Sequence, residues 1–156
     1  MPFMTEWSTP DRRRLVVLSA DAIATFRQFR QKSCRLPEAG GILLGHRRRN
    51  HIEVIAATEP ASTDRRSRFL FERGAQGHSQ AAARSWKSAA FMVDYVGEWH
   101  THPQSVPVPS SIDRAEWSKL TRSRPGISMI LLIVGTRGLY VELSTKDEHQ
   151  LLTPIS

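Results

Sequence analysis

The chain has 156 residues, 40% of them hydrophobic and 24% charged, with a formal net charge of +7 and a pI near 10.5. That length suits one domain with its own core, and a single cysteine, Cys34, excludes an internal disulfide framework, which makes the cytoplasm the expected compartment. No apolar run reaches the length of a membrane span, the longest being residues 127–134, and Met1-Pro2-Phe3-Met4-Thr5-Glu6 lacks a basic-then-apolar signal pattern.

Much of the basic excess lies in Arg12-Arg13-Arg14, Arg47-Arg48-Arg49 and Arg65-Arg66-Ser67-Arg68. Solvated turns are the simplest reading of these runs, an acidic protein partner the next, and nucleic acid the last.

In chain order, residues 1–13 read as a flexible arm whose one candidate anchor is Trp7, and residues 14–156 as the folded domain. Leu15-Val16-Val17-Leu18 is a short β-branched run and predicts a buried strand. Ser19 or Asp21 can cap the next helix, in which Ala22, Ile23, Phe26, Phe29 and Arg30 recur at helical spacing. That helix is expected to end near Lys32, and Pro37 forbids its continuation. Residues 40–47 form an almost wholly apolar strand buried on both faces, where Gly40 and Gly41 imply a close approach to the backbone. Arg48-Arg49-Asn50 turns the chain into a paired strand over residues 51–57. Beyond a polar stretch, Phe69-Leu70-Phe71 predicts a short strand, and residues 75–90 a helix with His78, Ala82, Trp86 and Ala89 along one face. Residues 95–100 form the central strand, and a helix runs from Ser111 to about Arg122 with Ile112, Glu116 and Trp117 near one another. Pro125-Gly126 leads into a strand ending at Val134, Thr136-Arg137-Gly138 makes a tight hairpin into residues 139–143, and the tail adds a short strand through Leu151-Leu152. Strands and helices mixed in this way predict an α/β fold around a mixed sheet.

The central strand carries Gly97-Glu98-Trp99-His100-Thr101-His102-Pro103, followed by Ser110-Ser111-Ile112-Asp113. Histidines two apart on a strand share a face. A stiff turn holding Pro103, Pro107 and Pro109, then a helix beginning at Ser110, can fold Asp113 back to them. Two nitrogens and one oxygen then surround a metal, and the open fourth position is the mark of a catalytic rather than a structural zinc site. Singly, His-x-His is weak and Ser-x-x-Asp also reads as a capping box. Together they are far more specific.

The compound string resembles the zinc motif of the JAMM (MPN+) metalloproteases, which remove ubiquitin and ubiquitin-like proteins. Glu38-Ala39-Gly40-Gly41-Ile42-Leu43-Leu44-Gly45 matches that family's upstream Glu-x-x-Gly-x-Leu-x-Gly segment. The resemblance implies zinc on His100, His102 and Asp113, a catalytic Glu38 and a supporting Ser110, whose hydroxyl would donate to an oxyanion. It also implies a single-domain, cytidine-deaminase-like sandwich with a mixed central β-sheet flanked by helices. Strand spacing leaves Glu98 as a rival for the base, because it shares the face of His100 and His102; the resemblance favours Glu38 and leaves Glu98 a contact that orients an imidazole. Trp99 reads as core, and Thr101 as bonded within the sheet.

JAMM enzymes cleave after the C-terminal tail of a modifier, and strand addition to an exposed edge is the simplest way to hold such a tail. Gly40-Gly41 and residues 47–49 are the expected flanking surface. Gly-Glu-Trp-His-Thr-His-Pro, the segment from Phe71-Glu72-Arg73 to His78, and Trp86 resemble more narrowly the deconjugating proteases of bacterial type II CBASS anti-phage operons. That implies, as partners, the C-terminal tail of a conjugated cGAS-like nucleotidyltransferase and an E1/E2-like conjugating protein encoded nearby; neither a membrane nor nucleic acid is expected. The rival readings are a JAMM protease for another bacterial ubiquitin-like modifier, a scaffold without catalysis, a basic nucleic-acid-binding module, and a cysteine hydrolase pairing Cys34 with His100 and Asp113.

Overall fold

A computed structural model describes residues 3–32, 38–58 and 93–155. Cys34, the arginines of residues 65–68, and the expected strand and helix carrying His78 and Trp86 lie outside the described residues. The described elements are β1 (Glu6–Ser8), β2 (Leu15–Leu18), α1 (Ala20–Phe29), β3 (Gly40–Arg48), β4 (His51–Ala57), β5 (Asp94–Thr101), α2 (Ser111–Ser123), β6 (Met129–Val134), β7 (Leu139–Ser144), β8 (His149–Leu151) and β9 (Thr153–Pro154). The strands form one mixed sheet in the order β8-β7-β6-β5-β3-β4-β2-β1-β9. The pairs β2/β4 and β5/β6 are parallel and the others antiparallel.

The β6 sequence Met-Ile-Leu-Leu-Ile-Val is buried throughout. Alternation sends Ile130, Leu132 and Val134 into a cluster with Trp99 and with Ala22, Ile23 and Phe26 of α1, and sends Met129, Leu131 and Ile133 into one with Trp117 of α2. The Ser19 hydroxyl caps α1, accepting from Ala22 N at 3.1 Å. The helix stops at Phe29, before the expected Lys32, because Arg30 turns to ψ 140° and Gln31 is buried beside the Thr101 hydroxyl. Among the described residues no helix is long and apolar enough to cross a membrane.

The segment expected to be a flexible arm is docked over Glu6–Ser8, which pairs with both β2 and β9. Phe3 and Trp7 are 4% and 6% exposed and belong to the main core. Burying a large side chain contributes about 1.5–3 kcal/mol, enough to offset ordering a few residues, but three strand residues are too short a stretch to show a period in sequence.

Gly41 is required by the chain itself. A Cβ there would collide with the Thr58 carbonyl oxygen and come within 2.8 Å of Trp99 Nε1, which donates to that same oxygen at 3.2 Å. Both sides of β3 are paired, one with β4 and one with β5. The β4 pairing covers only Leu43–Arg48 of β3, while Gly40 and Gly41 pair with His100 and Trp99 of β5; Arg47 lies at the other end of β3 from Gly40, so that part of the expected flanking surface is remote from the histidines. Ile112 is 37% exposed and does not share the buried face of Trp117.

Candidate metal centre and active site

His100 sits near the end of β5, opposite Gly40 of β3 and Ile133 of β6. His102 follows, its backbone N–H bonded to Val134 O at 2.9 Å. The two rings share a face with centroids 5.0 Å apart. Between them Thr101 points the other way, wholly buried. Its hydroxyl accepts from Ala39 N, and its own N–H donates to Ala39 O, both at 2.9 Å. This double bond to residue 39 places Glu38, whose Oε1 lies 3.6 Å from His102 Nε2.

The proline-containing loop after His102 is tied to the β6–β7 hairpin by Thr136 N to Gln104 O at 2.8 Å and Gly138 N to Ser105 O at 3.0 Å. It delivers Ser110 to the start of α2. There Asp113 N donates to Ser110 Oγ at 3.1 Å, and Ser110 N donates to Asp113 Oδ2 at 2.7 Å. The capping box thus also aims the Asp113 carboxylate. That carboxylate is 0% exposed; Oδ1 lies 3.0 Å from His100 Nε2 and Oδ2 3.4 Å from His102 Nε2.

The ligand atoms of His100, His102 and Asp113 lie within 4.8 Å of one another and could hold a metal ion. The donor set fits zinc: two imidazoles and one carboxylate, with a fully buried carboxylate that needs a cation to offset its desolvation. Burial alone would raise the Asp113 pKa, but the bonds from His100 and His102, the charge of His100 and the Ser110 N–H hold it well below the usual carboxylate range. Burial would lower that of His102, yet the bond and charge of Asp113, then Gln104 and Glu38, hold it above the usual imidazole value.

Gln104 fixes the tautomer. Val108 N–H donates to Gln104 Oε1 at 3.2 Å, which identifies that atom as the amide oxygen. The same oxygen lies 3.3 Å from His102 Nδ1. Nδ1 therefore carries the proton, and Nε2, the nitrogen facing Asp113, is the one left to coordinate.

Glu98, the rival base, accepts from the Tyr95 hydroxyl at 2.7 Å through Oε1. Trp99 is 1% exposed, as a core residue should be. Beside Asp113, Arg114 reaches Glu142 at 2.6 Å and Tyr140 at 3.0 Å, tying α2 to β7. Tyr140 stacks on Trp117, whose ring lies 6.0 Å from that of His100. Nothing local in the sequence pairs Arg114 with Glu142, and only the proximity of Gln104 to the histidines hinted at its part.

A family model described as prokaryotic homologues of the JAB domain matches residues 20–146. The chain belongs to that family. The JAMM resemblance is thereby borne out. Three relatives of this JAB-domain chain carry the name CD-NTase/cGAS isopeptidase. The Pseudomonas aeruginosa protein is 41% identical over 92% of this chain and 91% of its own length. Those of Vibrio cholerae and Escherichia coli are 35% and 32% identical, over 89% and 88% of this chain and 86% of their own lengths. A solution structure of a Desulfitobacterium hafniense protein, 18% identical, superposes with a TM-score of 0.59 over 90% of this chain and 91% of that one, a likeness of fold alone.

Proposed function

We propose that this JAB-domain chain is a zinc-dependent isopeptidase that releases a conjugated CD-NTase, a cGAS-like nucleotidyltransferase, by cutting after its C-terminal tail. The observation that carries the reading is the convergence of His100, His102 and Asp113, with ligand atoms within 4.8 Å and Glu38 beside them. The names of the three relatives support the choice of substrate. In this reading residues 14–156 with β1 docked on their sheet are the metalloprotease domain, a cytidine-deaminase-like sandwich with helices on both faces of the sheet. The two clusters meeting at β6 support that arrangement. The conjugate is made by an E1/E2-like protein, and the reaction belongs to anti-phage defence in the cytoplasm.

His100, His102 and Asp113 would hold the zinc. The ion, when bound, supplies Lewis acidity that brings the pKa of water to roughly 7 and polarises a carbonyl. Glu38 moves the protons: its carboxylate takes one from the attacking water and delivers it to the leaving nitrogen, without which an amide does not break. Ser110 donates its hydroxyl to the developing oxyanion, a contribution typically worth about 3 kcal/mol. Its oxygen already accepts from Asp113 N, and a hydroxyl accepts and donates at once. Gln104 holds the His102 tautomer, and Thr101 holds the backbone that carries Glu38.

Incubating the protein with a conjugated CD-NTase, with and without a chelator, tests the reaction. The unconjugated nucleotidyltransferase should accumulate only without chelator and only with Glu38 intact; an undiminished conjugate would oppose the reading.

A further inference from the structure

Two arginine runs far apart in sequence meet at one end of the sheet. Arg12-Arg13-Arg14 lie in the turn between β1 and β2, Arg47-Arg48 at the end of β3, and Arg49 in the turn between β3 and β4. The parallel pairing of β2 with β4 begins at Leu15 opposite His51, and Leu15 N donates to Asn50 O at 3.0 Å. Both turns therefore open on the same side. Arg14, Arg47, Arg48, Arg49 and His51 line one open cleft, and Arg14 is shared with a second cleft lined by Arg12, Arg13 and Asn50. Two arginines are braced by Ser128: Arg14 Nη1 donates to its hydroxyl at 2.9 Å and Arg47 Nη1 to its carbonyl at 2.5 Å. Arg12, Arg13, Arg48 and Arg49 are exposed.

We propose that these joined clefts dock an acidic segment of a partner protein, an extended stretch carrying several Asp or Glu side chains. Arginine forks pair bidentately with carboxylates and are weakly hydrated, so little is lost on contact. Carboxylates stand among the arginines: Asp94 lies 3.1 Å from Arg47, Glu53 lies 3.9 Å from Arg48, and Glu148 lines the second cleft. They break the positive field into separate patches. A peptide with discrete charges can match such patches, whereas a duplex backbone, with one charge per about 1.7 Å, meets the carboxylates with repulsion. Among the described residues neither cleft has Trp, Tyr or Phe in its lining on which single-stranded bases could stack. Ile127, 40% exposed on one wall, adds an apolar contact suited to a peptide.

This surface stands roughly 20 Å along β3 from Gly40, which is paired with His100. It shares no residue with the metal centre, so the inference does not depend on how that centre is read.

The test is fluorescence anisotropy with a labelled oligo-glutamate peptide, competed by a DNA duplex of matched charge. The expected result is saturable peptide binding that falls away as salt rises from about 0.1 M to about 1 M and the Debye length shrinks from about 10 Å to about 3 Å. Arg13→Glu with Arg49→Glu should weaken it at least about tenfold, and Arg13→Gln with Arg49→Gln by an intermediate factor. Lys119→Glu with Arg137→Glu, the same charge change at exposed positions outside both clefts, should leave affinity within about twofold. Absence of peptide binding at low salt would overturn the proposal. So would equal losses from the Arg13/Arg49 pair and the Lys119/Arg137 pair, which would mark net charge alone, or a duplex that displaces the peptide and binds more tightly, which would mark a nucleic-acid surface.

Discussion

The side-chain oxygen of Gln104 lies 3.3 Å from Nδ1 of His102, and because it also accepts from Val108 N–H at 3.2 Å, it dictates which ring nitrogen keeps its proton. Gln104→Leu removes the acceptor from both, and losing such a supporting contact typically weakens metal affinity by about 10- to 100-fold. Chelator competition should show that loss while far-ultraviolet circular dichroism stays unchanged. Unchanged zinc affinity would mean the ring is held by the sheet alone.

Ser110 has two functions that one substitution separates by magnitude. Ser110→Ala should lower the unfolding free energy by about 1 kcal/mol through loss of the cap, measured by denaturant titration. If the hydroxyl also serves the oxyanion, turnover should fall by about 10²–10³-fold. A cap alone predicts lost stability with turnover within a few-fold of wild type.

Glu38 and Glu98 are distinguished by exchange to glutamine. Glu38→Gln should retain zinc and lose about 10²–10⁴-fold in turnover. Glu98→Gln, whose carboxylate accepts from Tyr95 at 2.7 Å, should keep turnover within about tenfold. The opposite pattern, measured on the same conjugate, would make Glu98 the base.

The chain has two tyrosines, and both hold their protons beyond the ordinary phenol range. Tyr140 is pushed up to about 12 by burial and then by Glu142, against the opposing Arg114; Tyr95 is also raised, by burial and then by Glu98. A folded pKa above the unfolded value of about 10 contributes stability that is fully present below pH 10 and is lost as pH rises through the folded value. Ultraviolet titration of the folded protein should therefore show almost no tyrosinate at about pH 10, with alkaline unfolding and tyrosinate appearing together above it. Half-ionisation near 10 in a folded chain would contradict the packing of Tyr140 between Trp117 and Glu142.

What the sequence made legible follows from periodicity. Strand alternation put His100 and His102 on one face, Trp99 and Thr101 on the other, and the Ser-x-x-Asp spacing located both the start of α2 and Asp113. Glu38 was legible only through the family pattern, because its place depends on Thr101 binding residue 39 across the sheet. Gln104 escaped notice because its part depends on a loop that curls back to give it Val108 N–H. The Arg114–Glu142 contact joins a helix to a strand 28 residues on, and neither residue shows its partner locally. Trp7 was legible as an anchor of the N-terminal segment, but Phe3 and the strand pairing of β1 were not, because three strand residues show no period. The arginine runs were visible at once, but their union was not, since it rests on the parallel register of β2 and β4.

The most direct measurement is metal content by elemental analysis of the purified protein beside Asp113→Ala. One zinc per chain in the wild type, and essentially none in a variant that still folds, is the result the account predicts. A wild-type chain that takes up no zinc, or an Asp113→Ala chain that retains it with undiminished affinity, would contradict it.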